Sequence, residues 1–150
     1  MVRMNTALII YTSLTGNTER CVEVVEEALK THSIDVTVLE VLDADPDDFL
    51  DYDIVMVGSY TYGVDGVLPD EMEDFHEDLM EIDLSGKIYG VFGSGDDFYP
   101  VFCSAVDDFE KAFESAGATK GGQGVKVNLY PEEEDEVHLK QLVASIFEKL

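Results

Sequence analysis

The pattern of apolar runs predicts a doubly wound α/β domain, a five-stranded parallel sheet with helices on both faces. Three observations carry that prediction. Strand-like and helix-like segments alternate along the whole chain, as parallel strands with crossover connections require. The runs Thr6–Tyr11, 54–59 and 88–92 are almost continuously apolar, which marks strands covered on both faces. Three loops of unusual composition follow the first, third and fourth strands, so they share one edge of the sheet.

In chain order, Thr6–Tyr11 leads through a turn into a helix at 18–31. Cys21, Val22, Val25, Ala28 and Leu29 recur there at spacings of three and four, which places them on one face. Asp35–Glu40 is the second strand, and the alternation in Val36-Thr37-Val38 suits a sheet edge. The second crossover, 43–53, is too short for a long helix, so residues 46–50 form one or two turns. The third strand, 54–59, precedes a helix that starts at Pro69, a residue suited to a first turn, and buries Met72, Phe75 and Leu79. The fourth strand, 87–93, precedes a helix at about 101–115. Its inward residues are Phe102, Val106, Phe109 and Phe113, and Gly117 stops it. The fifth strand is one uninterrupted run at 125–129. The last helix turns Val137, Leu142, Val143, Ile146 and Leu150 inward. No repeat, linker or second domain is visible, so residues 1–150 form one domain.

A chain of 150 residues is long enough to bury one core, and its eight Phe and seven Tyr argue against disorder. With 33 acidic and nine basic residues the formal net charge is −24. Such a field repels nucleic acid and anionic membrane surfaces and favours a basic protein partner; part of it serves solubility or salt adaptation. Cys21 and Cys103 form neither a C-x-x-C nor a zinc spacing, so no metal is expected. No signal peptide or membrane span is visible, and the expected location is cytoplasmic.

The segment Thr12-Ser13-Leu14-Thr15-Gly16-Asn17-Thr18 holds the densest chemistry. It carries four hydroxyls, one glycine and one asparagine at a strand-to-helix turn. Free N–H groups and the dipole at a helix N-terminus attract an anion, and the hydroxyls add donors around the same point. No lysine follows the glycine, which excludes the nucleoside-triphosphate P-loop, and no Gly-x-Gly-x-x-Gly is present. Neutral donors suit a single terminal phosphate. An ordinary hydroxyl-rich helix cap is the other reading of these residues.

The turn resembles the phosphate-binding turn of flavodoxins, Ser/Thr-x-Thr-Gly-Asn-Thr, which cradles the 5′-phosphate of FMN. The match is Ser13, Thr15, Gly16, Asn17 and Thr18, with Leu14 in the free position. After the third strand, Ser59-Tyr60-Thr61-Tyr62-Gly63-Val64-Asp65-Gly66 is similar to the family's Thr-aromatic-Gly loop. The resemblance implies that Tyr62 stacks on one flavin face and that the Gly63 peptide faces flavin N5. After the fourth strand, Gly93-Ser94-Gly95-Asp96-Asp97-Phe98-Tyr99 with Phe102-Cys103 resembles Gly-x-Gly-Asp-x-x-Tyr followed by Phe-Cys. Tyr99 then stacks on the outer face, and Asp96 and Cys103 lie near the pyrimidine edge. The Asp96 main chain is the expected contact there, because a carboxylate repels reduced flavin; a plain turn aspartate is the other reading. Three departures bear on redox potential rather than on cofactor binding. Tyr60 stands where a small residue is common, Tyr62 replaces a tryptophan found in some members, and Val64 replaces a frequent acid.

The resemblance spans essentially the whole chain, and its length matches the short-chain branch. It implies the flavodoxin-like strand order 2-1-3-4-5, with FMN at the switch point between strands 1 and 3. That placement is the family's known pattern, taken over with the resemblance. It also implies a low-potential one-electron carrier rather than an enzyme, one that works through the semiquinone/hydroquinone couple. Such a carrier is a monomer that meets redox proteins, reductase donors and acceptor enzymes, through their basic docking faces. One carboxylate about 12 Å away costs an anionic flavin about 0.7 kcal/mol at an effective dielectric of about 40. Several together, Asp65, Asp96 and Asp97 in the loops with Asp70 and Glu71 close behind, reach about 2 kcal/mol, or roughly 80 mV for one electron. The alternative is a flavoprotein dedicated to one enzyme, such as a ribonucleotide-reductase activator, whose loop after strand 3 tends to be shorter and richer in glycine. A signalling receiver shares the fold but needs acidic residues where Thr12-Ser13 and Ser59-Tyr60 stand. His32, His76 and His138 fall on helical segments apart from these loops. The acidic run at 132–136 opens the last helix, where it complements the dipole.

Overall fold

The computed structural model describes residues 5–61, 68–98 and 101–150. The chain runs β1 (Thr6–Tyr11), α1 (Asn17–Thr31), β2 (Asp35–Glu40), β3 (Ile54–Tyr60), α2 (Asp70–Leu79), β4 (Ile88–Gly95), α3 (Ser104–Ser115), β5 (Thr119–Lys120), β6 (Val125–Asn128) and α4 (Glu133–Glu148). Two short 3-10 segments, Val41–Asp43 and Pro46–Asp51, fill the crossover between β2 and β3. The sheet order is β2-β1-β3-β4-β5, with β6 also on β4, and each of these pairings is parallel. The predicted doubly wound order 2-1-3-4-5 is therefore present.

Strand alternation builds two cores. Ala7, Ile9 and Tyr11 of β1 face one side with Ile54 and Met56, where α1 and α4 cover them with Val22, Val25, Leu142 and Ile146. Leu8, Ile10, Val55 and Val57 face the other side, against Phe49, α2 and α3. Burying each such side chain stabilises the fold by about 1.5–3 kcal/mol. The central strands β1 and β3 are buried over nearly their whole length, and so give the loops at their ends a rigid base. Phe49 joins the second layer through ring contacts at 6.1 Å to Phe75 and 5.6 Å to Phe113.

Four details differ from the sequence reading. The fifth strand is split. β5 pairs Thr119 and Lys120 with Ile88 and Tyr89, and β6 pairs Val125–Asn128 with β4 from Phe92 to Gly95. Between them Gly121 is pinned to α4, its carbonyl accepting from Ser145 Oγ at 2.6 Å and Lys149 Nζ at 2.9 Å. A Cβ on Gly121 would come within 2.5 Å of Ile146, so only glycine permits that approach. Leu129 leaves β6 with φ 59°, although its N–H still donates to the Gly95 carbonyl at 2.8 Å. In α4 the inward residues are Leu139, Leu142, Val143 and Ile146. Val137 lies on the opposite side of the helix from Leu139, and Leu150 lies past the helix end; both are exposed. Finally, α3 begins at Ser104, after a left-handed Cys103, and Pro69 caps α2 from just outside.

Candidate functional site

The strand order brings the three unusual loops together. Tyr11 of β1 sits in register with Gly58 of β3, and Tyr60 of β3 with Ser94 of β4, so their carboxyl ends meet on one edge. Thr12 N–H donates to the Gly58 carbonyl and Thr61 N–H to the Ser94 carbonyl, both at 3.0 Å. Each loop thus leaves its strand at a defined height.

The first loop turns at Gly16, which takes φ 92° as the N-cap of α1. A Cβ there would meet nothing within 4 Å, so the constraint is backbone conformation, not space. Ser13 Oγ accepts from the Gly16 and Glu19 N–H groups, each at 3.2 Å. Both donors are thus capped by the Ser13 hydroxyl, while the dipole of the same helix N-terminus favours negative charge beside it. Leu14 and Thr15 are exposed, and Asn17 is half-buried as the first residue of α1. Thr18 is buried, and its hydroxyl pairs with that of Ser94 at 2.6 Å, joining the first loop to β4.

β3 ends at the half-buried Tyr60, and the loop after it begins at the half-buried Thr61. Thr61 Oγ1 accepts from the Ala105 N–H at 3.1 Å, which ties the loop to the first turn of α3. The loop after β4 leaves from Gly95. Asp96 Oδ1 accepts from the Phe98 N–H at 3.0 Å, a turn-forming role for its side chain. Asp97 N–H donates to Asn128 Oδ1 at 3.0 Å, and this fastens the loop to the end of β6. Phe102 is half-buried against the α2–α3 core. Cys103 borders the loop through its main chain, while its thiol packs inside and points toward the Val127 carbonyl at 3.6 Å. Burial pushes that thiol up to about 12, as it does for Cys21, so neither is a nucleophile near neutral pH. Tyr62 and Tyr99, the expected stacking rings, and Gly63, whose peptide is expected to face flavin N5, lie outside the described residues, as does Asp65.

The sequence reading counts Glu71 only as a charge close behind the loops and misses the two hydrogen bonds it makes at this edge. Glu71, in the first turn of α2, accepts from Thr12 Oγ1 at 2.7 Å and from Tyr60 Oη at 2.9 Å. Partial burial pushes its carboxyl upward. Hydrogen bonds from Thr12, its own main-chain N–H and Tyr60 outweigh that and hold it below its ordinary value. In sequence Glu71 is one of three first-turn acids of α2, which the dipole already explains, and nothing local singles it out from Asp70 and Glu73. A depression of about 240 Å³ opens beside the turn, lined by Tyr11, Thr12, Ser13, Glu19, Glu40 and Glu71 among others.

The histidines stand elsewhere. His32 stacks on Phe147 with centroids 4.5 Å apart, and His76 Nε2 lies 3.1 Å from the Asp108 carbonyl oxygen. Among the described residues no group of His, Cys, Asp or Glu is arranged to hold a metal ion, and no helix is long and apolar enough to cross a membrane.

A doubly wound parallel sheet of order 2-1-3-4-5, with a hydroxyl-rich strand-to-helix turn after its first strand at the switch point, defines a flavodoxin-like α/β domain. The family model for flavodoxin matches residues 9–140, and the chain belongs to the flavodoxin family. It is 43% identical over 133 residues to probable flavodoxin 2 of Bacillus subtilis, covering 88% of this chain and 87% of that protein. The solved flavodoxin of Streptococcus pneumonia TIGR4 superposes with a TM-score of 0.94 at 51% identity, covering 97% of this chain and 99% of that one. A Fusobacterium nucleatum flavodoxin mutant, solved with flavin mononucleotide bound, shares the fold at a TM-score of 0.80 and 22% identity, with 98% of each chain covered.

Proposed function

We propose that this protein binds one FMN noncovalently and carries single electrons between redox proteins. The observation that carries the reading is the Ser13–Gly16–Glu19 arrangement at the α1 N-terminus, set on the same edge as the loops after β3 and β4. Main-chain donors and hydroxyls without a fixed cation fit the single terminal phosphate of a mononucleotide. Thr15 and Asn17 stand at the same turn as further donors. The bound flavin supplies the redox chemistry, and the chain supplies binding, orientation and electrostatics. Tyr62 and Tyr99 are the proposed ring contacts, Gly63 and the main chain of Asp96 the proposed polar ones. Tyr60, Thr61, Ser94, Gly95, Phe102 and Cys103 frame them.

The abundant carboxylates oppose added negative charge at the site, which lowers the potential of the more reduced one-electron couple. The same field favours partners with basic docking faces, met one at a time by a monomer. Titration of the purified apo-protein with FMN, riboflavin and FAD tests the reading. FMN should saturate one site per chain, riboflavin should bind more weakly for lack of the phosphate, and FAD should bind poorly because the turn encloses a terminal phosphate. A chain that takes up no FMN, or that binds FAD as tightly, overturns the proposal.

A further inference from the structure

We propose that Glu71 is a positioning residue that sets the phosphate turn and the loop after β3 at one fixed spacing; this rests on the FMN reading above. Both of its bonds end on the same carboxylate oxygen, Oε1, with Thr12 Oγ1 at 2.7 Å and Tyr60 Oη at 2.9 Å. The two donors stand at the roots of different loops, Thr12 just after β1 and Tyr60 at the end of β3. Thr12 directly precedes Ser13, whose hydroxyl oxygen gathers the N–H groups of the turn. Tyr60 directly precedes Thr61, whose hydroxyl is bonded to the start of α3. One oxygen therefore connects the part of the site that holds a phosphate to the part that holds a ring.

A simpler role for Glu71 is to complement the α2 dipole. Asp70 and Glu73 already stand in that turn and are exposed, so the helix has this charge without Glu71. Neither reaches across as Glu71 does. Thr12 is only 8% exposed and its N–H is already bonded to the Gly58 carbonyl. Its hydroxyl is thus held in one direction, and Glu71 is the acceptor it meets. The side-chain connection needs both bonds, because loss of either one breaks it and leaves the main-chain bond from Thr12 to Gly58 and the Thr18–Ser94 pair to hold this edge. It needs an acceptor oxygen but not a full charge, since an amide oxygen has two lone pairs for the same two donors.

These features separate the role from a general electrostatic one. The experiment measures FMN dissociation constants of the apo-protein for wild type, Glu71→Ala, Glu71→Gln, Thr12→Val, Tyr60→Phe and the Thr12→Val/Tyr60→Phe double variant, with folding checked by circular dichroism. Glu71→Ala should weaken FMN about tenfold, the scale of a lost charge-assisted bond. Glu71→Gln should stay within about twofold of wild type, because it keeps the acceptor. The double variant should bind no worse than the weaker of its two single variants, since either loss alone breaks the connection. Glu71→Gln as weak as Glu71→Ala, or losses that multiply in the double variant, overturn the proposal. Should Glu71→Ala not fold, the Thr12–Tyr60 cycle and the Gln variant still decide it. A wild-type protein that takes up no FMN removes the underlying reading; wild-type binding that Glu71→Ala leaves unchanged removes the positioning role alone.

Discussion

Thr18 and Ser94 hold each other by a 2.6 Å hydrogen bond between buried hydroxyls that stand 76 residues apart in sequence. The bond joins the start of α1 to the end of β4, so two loops of the candidate site share one buried polar anchor. Ser94→Ala should destabilise the apo-protein by about 1–3 kcal/mol, because it leaves the Thr18 hydroxyl buried without its partner. Thr18→Val/Ser94→Ala together should cost less than the sum of the single changes, since neither hydroxyl is then orphaned. Urea unfolding of the three variants measures this, and additive losses would show that the pair is not coupled.

Thr15 is exposed at the tip of the turn, without a structural role like that of Thr18. Thr15→Ala should therefore leave apo-protein stability within about 0.5 kcal/mol. It should weaken FMN by about 1.5–3 kcal/mol, the scale of a hydroxyl bonded to a charged group, while riboflavin affinity changes little. Equal losses for both ligands in a fluorescence titration would place Thr15 away from the phosphate.

Gly16 takes φ 92° with open space where a Cβ would sit. Gly16→Ala should cost about 1–2 kcal/mol through backbone strain alone, and Gly16→Asn should cost less because Asn tolerates the left-handed region. Unfolding of the apo forms ranks the three. An alanine variant as stable as wild type would mean that the turn relaxes to another conformation.

These predictions draw on a site that was partly legible before the structure. The turn at 12–18 could be read because its donors are consecutive in sequence, and β1 and β2 have the expected bounds because their apolar runs are local. The split fifth strand could not be read. Its break at Gly121 is held by Ser145 of α4 and by Lys149 just past the helix end, 24 and 28 residues away. Val137 misled for a related reason, since apolar spacing alone does not say which stripe of α4 meets the sheet. The bridging role of Glu71 was hidden most completely, although its charge near the loops was legible. The residue meets Thr12 across 59 residues, and its neighbours Asp70 and Glu73 give it a sufficient local explanation.

The Glu71 carboxyl sets a pH dependence with a definite sign. Its folded value lies below the ordinary 4.5, so it favours the folded state when ionised. That stability is fully present above the ordinary carboxylate value and is lost as pH falls through the lower folded value. The stability difference between wild type and Glu71→Gln should be constant from about pH 8 to 5.5 and shrink on acidification below about pH 4.5. Urea midpoints across that range give the answer; a difference that grows on acidification would reverse the assigned direction.

Charge at the site edge can be tested separately from its geometry. Asp96 uses Oδ1 to accept from the Phe98 N–H, and the Asn side chain offers the same oxygen. Asp97 is exposed and engages Asn128 through its main chain, so Asp97→Asn also leaves that contact in place. Asp96→Asn/Asp97→Asn therefore removes two charges with little change of shape. The acidic run at 132–136 is a natural control, because the structure gives it a local task. Glu132 and Asp135 form a reciprocal cap at the start of α4, and Glu136 lies 3.6 Å from Arg20. Replacing its exposed Glu133 and Glu134 with Gln removes the same number of charges away from the loops after β3 and β4. If carboxylates at the site edge steer a basic partner, the Asp96/Asp97 variant should slow electron transfer at low salt and the Glu133/Glu134 variant should change it far less. The wild-type rate should also fall steeply between about 10 and 300 mM salt, as the Debye length shrinks from about 30 Å to below about 8 Å. Stopped-flow rates with a flavodoxin reductase, recorded against ionic strength for all three proteins, decide the matter. Equal slowing by the two variants would assign the effect to the overall charge of −24, and a flat salt profile would assign that charge to solubility alone.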